Sequence, residues 1–171
     1  LTGYVIRDMG LDVKRFTPRA VHAVISNWKN ELVSPTQAAE QAAHIFDRKH
    51  SEIYREYQER LLKAGAMDFD DLLVNVVRLF RMHPDVLASY QDRFKYILVD
   101  EYQDTNIAQN EIVLSLAARH HNVCVVGDTD QSIYAFRGAD FRNIGQFEDA
   151  FDEVSVVVLE QNYRSTQNIL D

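Results

Sequence analysis

The sequence predicts an α/β fold in two parts: an all-helical subdomain over residues 1–92, then part of a parallel sheet built from β-α-β units over residues 93–171. Three observations carry this prediction. Apolar residues recur at helical spacing as far as about residue 90. From Tyr96 onward short apolar runs alternate with helical stretches, the order that parallel β-α-β units impose. Each of three apolar runs then breaks off into polar residues, as buried parallel strands do at the carboxyl edge where ligands bind.

With 171 residues, 46% of them hydrophobic, the chain can bury a substantial core. No apolar run approaches membrane-spanning length and no basic-then-apolar leader opens the sequence, so a cytoplasmic setting is expected, with no membrane partner. The single cysteine, Cys124, lies in an apolar run and is expected to be a core residue. A net charge of −8 argues against general charge-driven binding to nucleic acid. That charge is uneven: residues 1–66 carry ten Lys and Arg against eight Asp and Glu, and residues 67–171 carry eight against eighteen. The first part is suited to facing phosphate and the second resembles a metal-nucleotide site. Because the chain starts at Leu1 without methionine and stops at Asp171 in an unfinished amphipathic segment, it reads as a piece of something longer.

In order, a helix ending near Gly10 is followed by Thr17-Pro18, a cap and a first-turn proline, and then by Val21, Val24, Ile25, Trp28 and Leu32 at helical spacing. Trp28 reads as core. Lys14, Arg15, Arg19 and Lys29 around this helix form either a solvated basic face or a contact with a nucleic-acid backbone, the former preferred. Pro35 ends the element, and one long helix is expected from Thr36 to Lys63, capped by Gly65, with Ala39, Ala43, Phe46, His50, Ile53, Tyr57 and Leu61 on one seam. Asp68 caps the next helix, with Asp70 and Asp71 in its positively polarised first turn; it stops at His83-Pro84, and a short helix spans Val86 to Tyr90. Strands are expected at Tyr96–Val99, Val123–Val126 and Val154–Leu159, with helices around Ile107–Ala117 and Phe141–Ala150 between them.

The polar residues after each strand suit one nucleotide site. After the first come Asp100 and Glu101: one carboxylate to hold Mg²⁺, usually through water, and one to orient or deprotonate an attacking water. Gly127 permits a tight turn after the second, and Gln131 is placed to bond a terminal phosphate or the attacking water. Tyr134, Phe136 and Arg137 follow, two aromatics and a cation suited to stacking bases and holding a phosphate. After the third, Tyr163 offers a flat face to a purine and Arg164 can neutralise charge on a transferring phosphoryl group.

The segments Val99-Asp100-Glu101-Tyr102-Gln103-Asp104-Thr105-Asn106, Gly127 through Ala139, and Leu159-Glu160-Gln161-Asn162-Tyr163-Arg164-Ser165 closely resemble motifs II, III and IV of superfamily 1 DNA helicases of the UvrD/PcrA/Rep family, with a mycobacterial-type UvrD as the expected nearest relative. The resemblance implies a partial RecA-like P-loop NTPase motor domain (1A) preceded by a 1B-like helical subdomain. It implies ATP and Mg²⁺ as cofactors, Asp100 as the metal ligand, Glu101 as the activator of water, Gln131 as sensor of the γ-phosphate, Tyr163 stacked on adenine and Arg164 on the γ-phosphate. Tyr134, Phe136 and Arg137 would line the path of single-stranded DNA, many relatives having Trp at the place of Phe136, and Gln103 and Asp104 would couple the two sites. The implied parent is an ATP-dependent 3′-to-5′ DNA helicase of DNA repair acting on single strands and single-strand/duplex junctions, with repair proteins as further partners. None of the six glycines precedes a lysine, so the phosphate-wrapping Gly-Lys-Ser/Thr loop would lie before Leu1, and the isolated chain is expected to be inactive. Two other readings stand beside it: the motor subunit of a helicase-nuclease, and a non-catalytic module binding DNA or a partner.

Overall fold

The computed structural model describes residues 1–131, 139–140 and 142–170, apart from the side chains of residues 129, 167 and 170. Helices dominate it. The helices α1 (Thr2–Asp8), α2 (Pro18–Asn30), α3 (Pro35–Gln41) and α4 (Ile45–Lys63) close on a core that includes Val5, Ile6, Val21, Ile25, Ile53 and Tyr57. Trp28 packs beside this core, stacked on Tyr54 with ring centroids 5.8 Å apart. Thr17 caps α2 through its hydroxyl, and Pro18 occupies the first helical position, as its fixed φ and missing N–H favour.

Three of these helices end alike. A residue in the left-handed region, Gly10 (φ 66°), Leu32 (φ 59°) or Gly65 (φ 59°), turns the chain back. The next N–H then reaches the carbonyl five residues earlier: Leu11 to Ile6 at 3.1 Å, Val33 to Trp28 at 2.7 Å and Ala66 to Leu61 at 3.0 Å. Glycine makes this turn freely at two of the ends; at the third, Leu32 makes it with a side chain.

The single long helix expected over residues 36–63 is two helices, α3 and α4, parted at residues 42–44. Local capping outweighs the apolar seam. The Asp47 carboxylate accepts the His44 N–H at 3.2 Å and starts α4 afresh, while Ser34 and Gln37 bond reciprocally across the first turn of α3. Ala43 is therefore exposed rather than seated on a seam. His50 packs against Phe16 and Phe46, the role its position suggests.

Helix α5 (Phe69–Met82) packs on α2, and α6 (Pro84–Arg93) leaves it at His83-Pro84. Lys29, expected on a basic face, is instead 1% exposed: its ammonium bonds Asp68 Oδ2 at 2.7 Å and Asp71 Oδ1 at 2.8 Å. Tyr57 donates its hydroxyl to Asp68 at 2.9 Å, and Gln58 donates to Asp71 at 3.1 Å. The aspartates that cap α5 thus serve a buried ion network joining α2, α4 and α5.

Strands β1 (Ile97–Val99) and β2 (Val123–Val125) pair in parallel, with Ile97 opposite Val123 and Val99 opposite Val125, and α7 (Ile107–Ala117) makes the crossover between them. Helices α8 (Arg142–Asp149) and α9 (Gln167–Leu170) complete the described elements. Two sheet expectations are corrected. Val154–Leu159 forms no strand; residues 156–159 are 70–81% exposed, because no neighbour among the described residues offers them a ladder. The two strands that do form are not covered on both faces: Leu98 is 81% exposed, and Cys124, expected in the core, is exposed. The fold is thus predominantly helical with one β-α-β unit and one open sheet face, in place of the larger sheet. Among the described residues, no helix is long and apolar enough to cross a membrane.

Candidate functional site at the strand tips

Parallel pairing sets the tips of β1 and β2 side by side. The Val126 N–H donates to the Val99 carbonyl at 2.8 Å, and the Tyr102 N–H returns to the Val126 carbonyl at 2.9 Å. Between these two bonds the chain must turn, and it does so at Glu101, whose φ of 52° and ψ of 43° lie in the left-handed region. For a residue with a side chain this costs roughly 1–2 kcal/mol. The turn ends the strand between two acids that an extended chain would send to opposite faces, and both are exposed. The Glu101 N–H bonds Asp100 Oδ1 at 2.9 Å, and a 3₁₀ turn over Tyr102–Asp104 follows.

Gln103 ties the two tips together. Its side chain is buried, with Nε2 donating to Glu101 Oε2 at 2.7 Å and Oε1 accepting the Asp128 N–H at 3.0 Å. This crossing requires Gly127. A Cβ there would stand 2.9 Å from Gln103 Oε1 and 3.3 Å from its backbone nitrogen. Gly127→Ala is accordingly expected to displace Gln103 and destabilise the fold by about 1–3 kcal/mol, measured by urea unfolding.

Tyr102 anchors the turn from beneath. It is fully buried, its hydroxyl donates to Asn110 Oδ1 on α7, and its ring meets Phe147 of α8 edge-on at 5.6 Å. Burial pushes its phenol up to about 12. Past β2, Gln131 folds its amide back onto Asp128 Oδ2 at 2.7 Å. That bond, aided by the Asp130 and Gln131 N–H groups, holds the Asp128 carboxyl below its ordinary value.

The structure therefore gathers Asp100, Glu101 and the start of the Gln131 loop at one edge. It does not join the third ending to them. Tyr163 is 91% exposed, and Asn162 Oδ1 accepts the N–H groups of Arg164 and Ser165 at 2.8 and 2.9 Å. Among the described residues, no hydrogen bond or ion pair links Tyr163 or Arg164 to the strand tips. Tyr134, Phe136 and Arg137 lie outside the described residues.

The donor set suits a hard, hydrated cation. Asp100 presents an exposed carboxylate whose Oδ1 accepts the Glu101 N–H, and Mg²⁺ takes one or two carboxylates while keeping most of its waters. Among the described residues, no group of three or more His, Cys, Asp and Glu gathers into the denser cage that other metals prefer.

Residues 3–152 match the family model described as the UvrD/REP helicase N-terminal domain. The chain is 49% identical over 166 residues to the ATP-dependent DNA helicase PcrA of Bacillus subtilis, covering 97% of this chain and 22% of that protein. It is 50% identical over 167 residues to PcrA of Leuconostoc citreum, covering 98% and 22%. It is 49% identical over 174 residues to the ATP-dependent DNA helicase UvrD1 of Mycobacterium tuberculosis, covering 96% and 23%. The chain thus spans less than a quarter of the length of these relatives.

Proposed function

Since this chain belongs to the UvrD/REP helicase N-terminal domain family, we propose that it is the part of an ATP-dependent 3′-to-5′ DNA repair helicase that activates water for ATP hydrolysis and relays the result to single-stranded DNA. In this reading, residues 1–92 are the 1B-like helical subdomain and residues 93–171 belong to the RecA-like motor domain. One observation carries it: Gln103 spans from Glu101 at the tip of β1 to Asp128 at the tip of β2, so the carboxylate that would take a proton from water is fixed to the loop leading to the DNA-path residues. Mg²⁺, held through Asp100, would supply charge neutralisation on the phosphates when bound. Glu101 would orient a water in line with the terminal phosphorus and accept its proton as the water–phosphorus bond forms and the bond to the leaving ADP oxygen breaks. Gln131, bonded here to Asp128, would exchange that bond for one to the terminal phosphate when nucleotide binds. Tyr163 and Arg164 complete the site on the adenine and γ-phosphate, and Tyr134, Phe136 and Arg137 face single strands and junctions.

The phosphate-wrapping Gly-Lys-Ser/Thr loop that this reading needs is not present in these 171 residues. Residues 1–171 alone are therefore expected to release phosphate from ATP no faster than buffer, with or without single-stranded DNA, while the full-length protein does so readily. ATPase activity of the isolated chain that disappears in Glu101→Gln would overturn this assignment of parts.

A further inference from the structure

The acidic turn after β1 is gripped on its far side as well as by Gln103. Asn106 closes that turn and caps α7 by accepting the Gln109 N–H on Oδ1 at 2.9 Å, which is all that capping asks of it. Its other end does something more: Nδ2 donates to Asn30 Oδ1 at 2.8 Å, joining the last residue of α2 to the turn across 76 positions of sequence. Both amides are buried, Asn30 at 3% and Asn106 at 4% exposure. Asn30 in turn points Nδ2 at Ser26 Oγ and Asp70 Oδ1, each at 3.4 Å. A second buried amide holds the neighbouring residue. Asn143 of α8, fully buried, donates Nδ2 to the Thr105 carbonyl at 2.8 Å and to its hydroxyl at 3.2 Å, and that hydroxyl donates to the Tyr102 carbonyl at 2.6 Å.

A buried amide pair adds little net stability, because each group surrenders water to make the bond; what such a pair fixes is position. Here the position fixed is the downstream end of the turn whose upstream end is Glu101, and every residue between is bonded at backbone or side chain. We infer that Asn30 is a positioning residue for hydrolysis: by holding Asn106 it sets where the Glu101 carboxylate stands, which makes α2 of the helical layer part of the site's support. This inference rests on the hydrolytic reading of Glu101.

The test uses the full-length protein and steady-state ATP hydrolysis, with turnover normalised to folded molecules by thermal unfolding. Asn30→Leu, which removes the acceptor at similar volume, is expected to lower kcat about ten-fold with KM for ATP changed less than about two-fold, since a misplaced water activator is felt in the transition state and not in ground-state binding. The pair Asn30→Asp with Asp70→Asn exchanges amide and carboxylate across the same contact at constant net charge and is expected to restore most of the lost kcat. A purely structural role would lower the unfolding midpoint while leaving kcat per folded molecule as it was. That outcome, or a loss that the exchanged pair does not reverse, overturns the inference. If Asn30→Leu does not fold, Asn106→Ser, which keeps the capping oxygen and drops the amide donor, is read by the same criteria. Turnover persisting in Glu101→Gln would refute the hydrolytic reading itself; Glu101→Gln inactive beside a normal Asn30→Leu would refute only this inference.

Discussion

Glu101→Gln in the full-length protein is expected to cut ATP turnover by about 10²–10⁴-fold, the range that general-base catalysis contributes, while leaving nucleotide affinity close to that of the parent. The substitution keeps the size and shape of the side chain and removes only its ability to accept a proton. Geometry makes it a clean experiment. Glutamine can still accept the Gln103 Nε2 hydrogen bond on its carbonyl oxygen, so the left-handed turn and the bridge to Asp128 should survive. Loss of turnover would then report chemistry and not collapse of the turn. Single-turnover hydrolysis together with nucleotide binding by fluorescence separates the two; loss of affinity in parallel with loss of rate would instead mark Glu101 as a binding residue.

Lys29→Ala is expected to destabilise the protein by about 3–5 kcal/mol, read from urea unfolding, because it strips the cation from two carboxylates that remain largely out of water. Restoring apolar volume and neutrality together should reverse most of that loss. Lys29→Met with Asp68→Asn and Asp71→Asn keeps side-chain oxygens for capping α5 and leaves no buried charge. The network also carries a pH signature. Burial pushes the Asp68 carboxyl up, but the Lys29 ammonium, the Asp71 N–H and the Tyr57 hydroxyl outweigh it and hold it below its ordinary 3.8. A depressed folded-state value means the stabilisation is complete above pH 3.8 and disappears as pH falls below it. In Asp68→Asn the acid limb of the stability curve should be correspondingly shallower.

The elements the sequence disclosed were those decided locally. Thr17-Pro18, Gly65, Asp68 and His83-Pro84 mark helix boundaries by backbone chemistry that needs no distant partner, and the structure places boundaries at each of them. The residues of β1 and β2 were legible because apolar runs ending in polar turns leave little else for the chain to do. What escaped was decided by contacts far apart in sequence. Lys29 sits four residues after Ile25 on the core stripe of α2, and a lysine there looks like a solvated flank until two aspartates, at positions 68 and 71, are seen to face it. Asn30 and Asn106 carry no local sign of meeting. The one readable clue was charge complementarity between a cation on an apolar stripe and an acid-rich helix start. Val154–Leu159 failed in the opposite sense: its strand propensity is real, but a ladder is made by two segments, and its neighbour is not among those described.

The uncovered side of the sheet bears on how this chain should be handled. Tyr96, Leu98 and Cys124 turn an oily surface to water, and strands of three residues are too short to shield one another. Expressed as these 171 residues, the chain is expected to associate with its own copies through that surface.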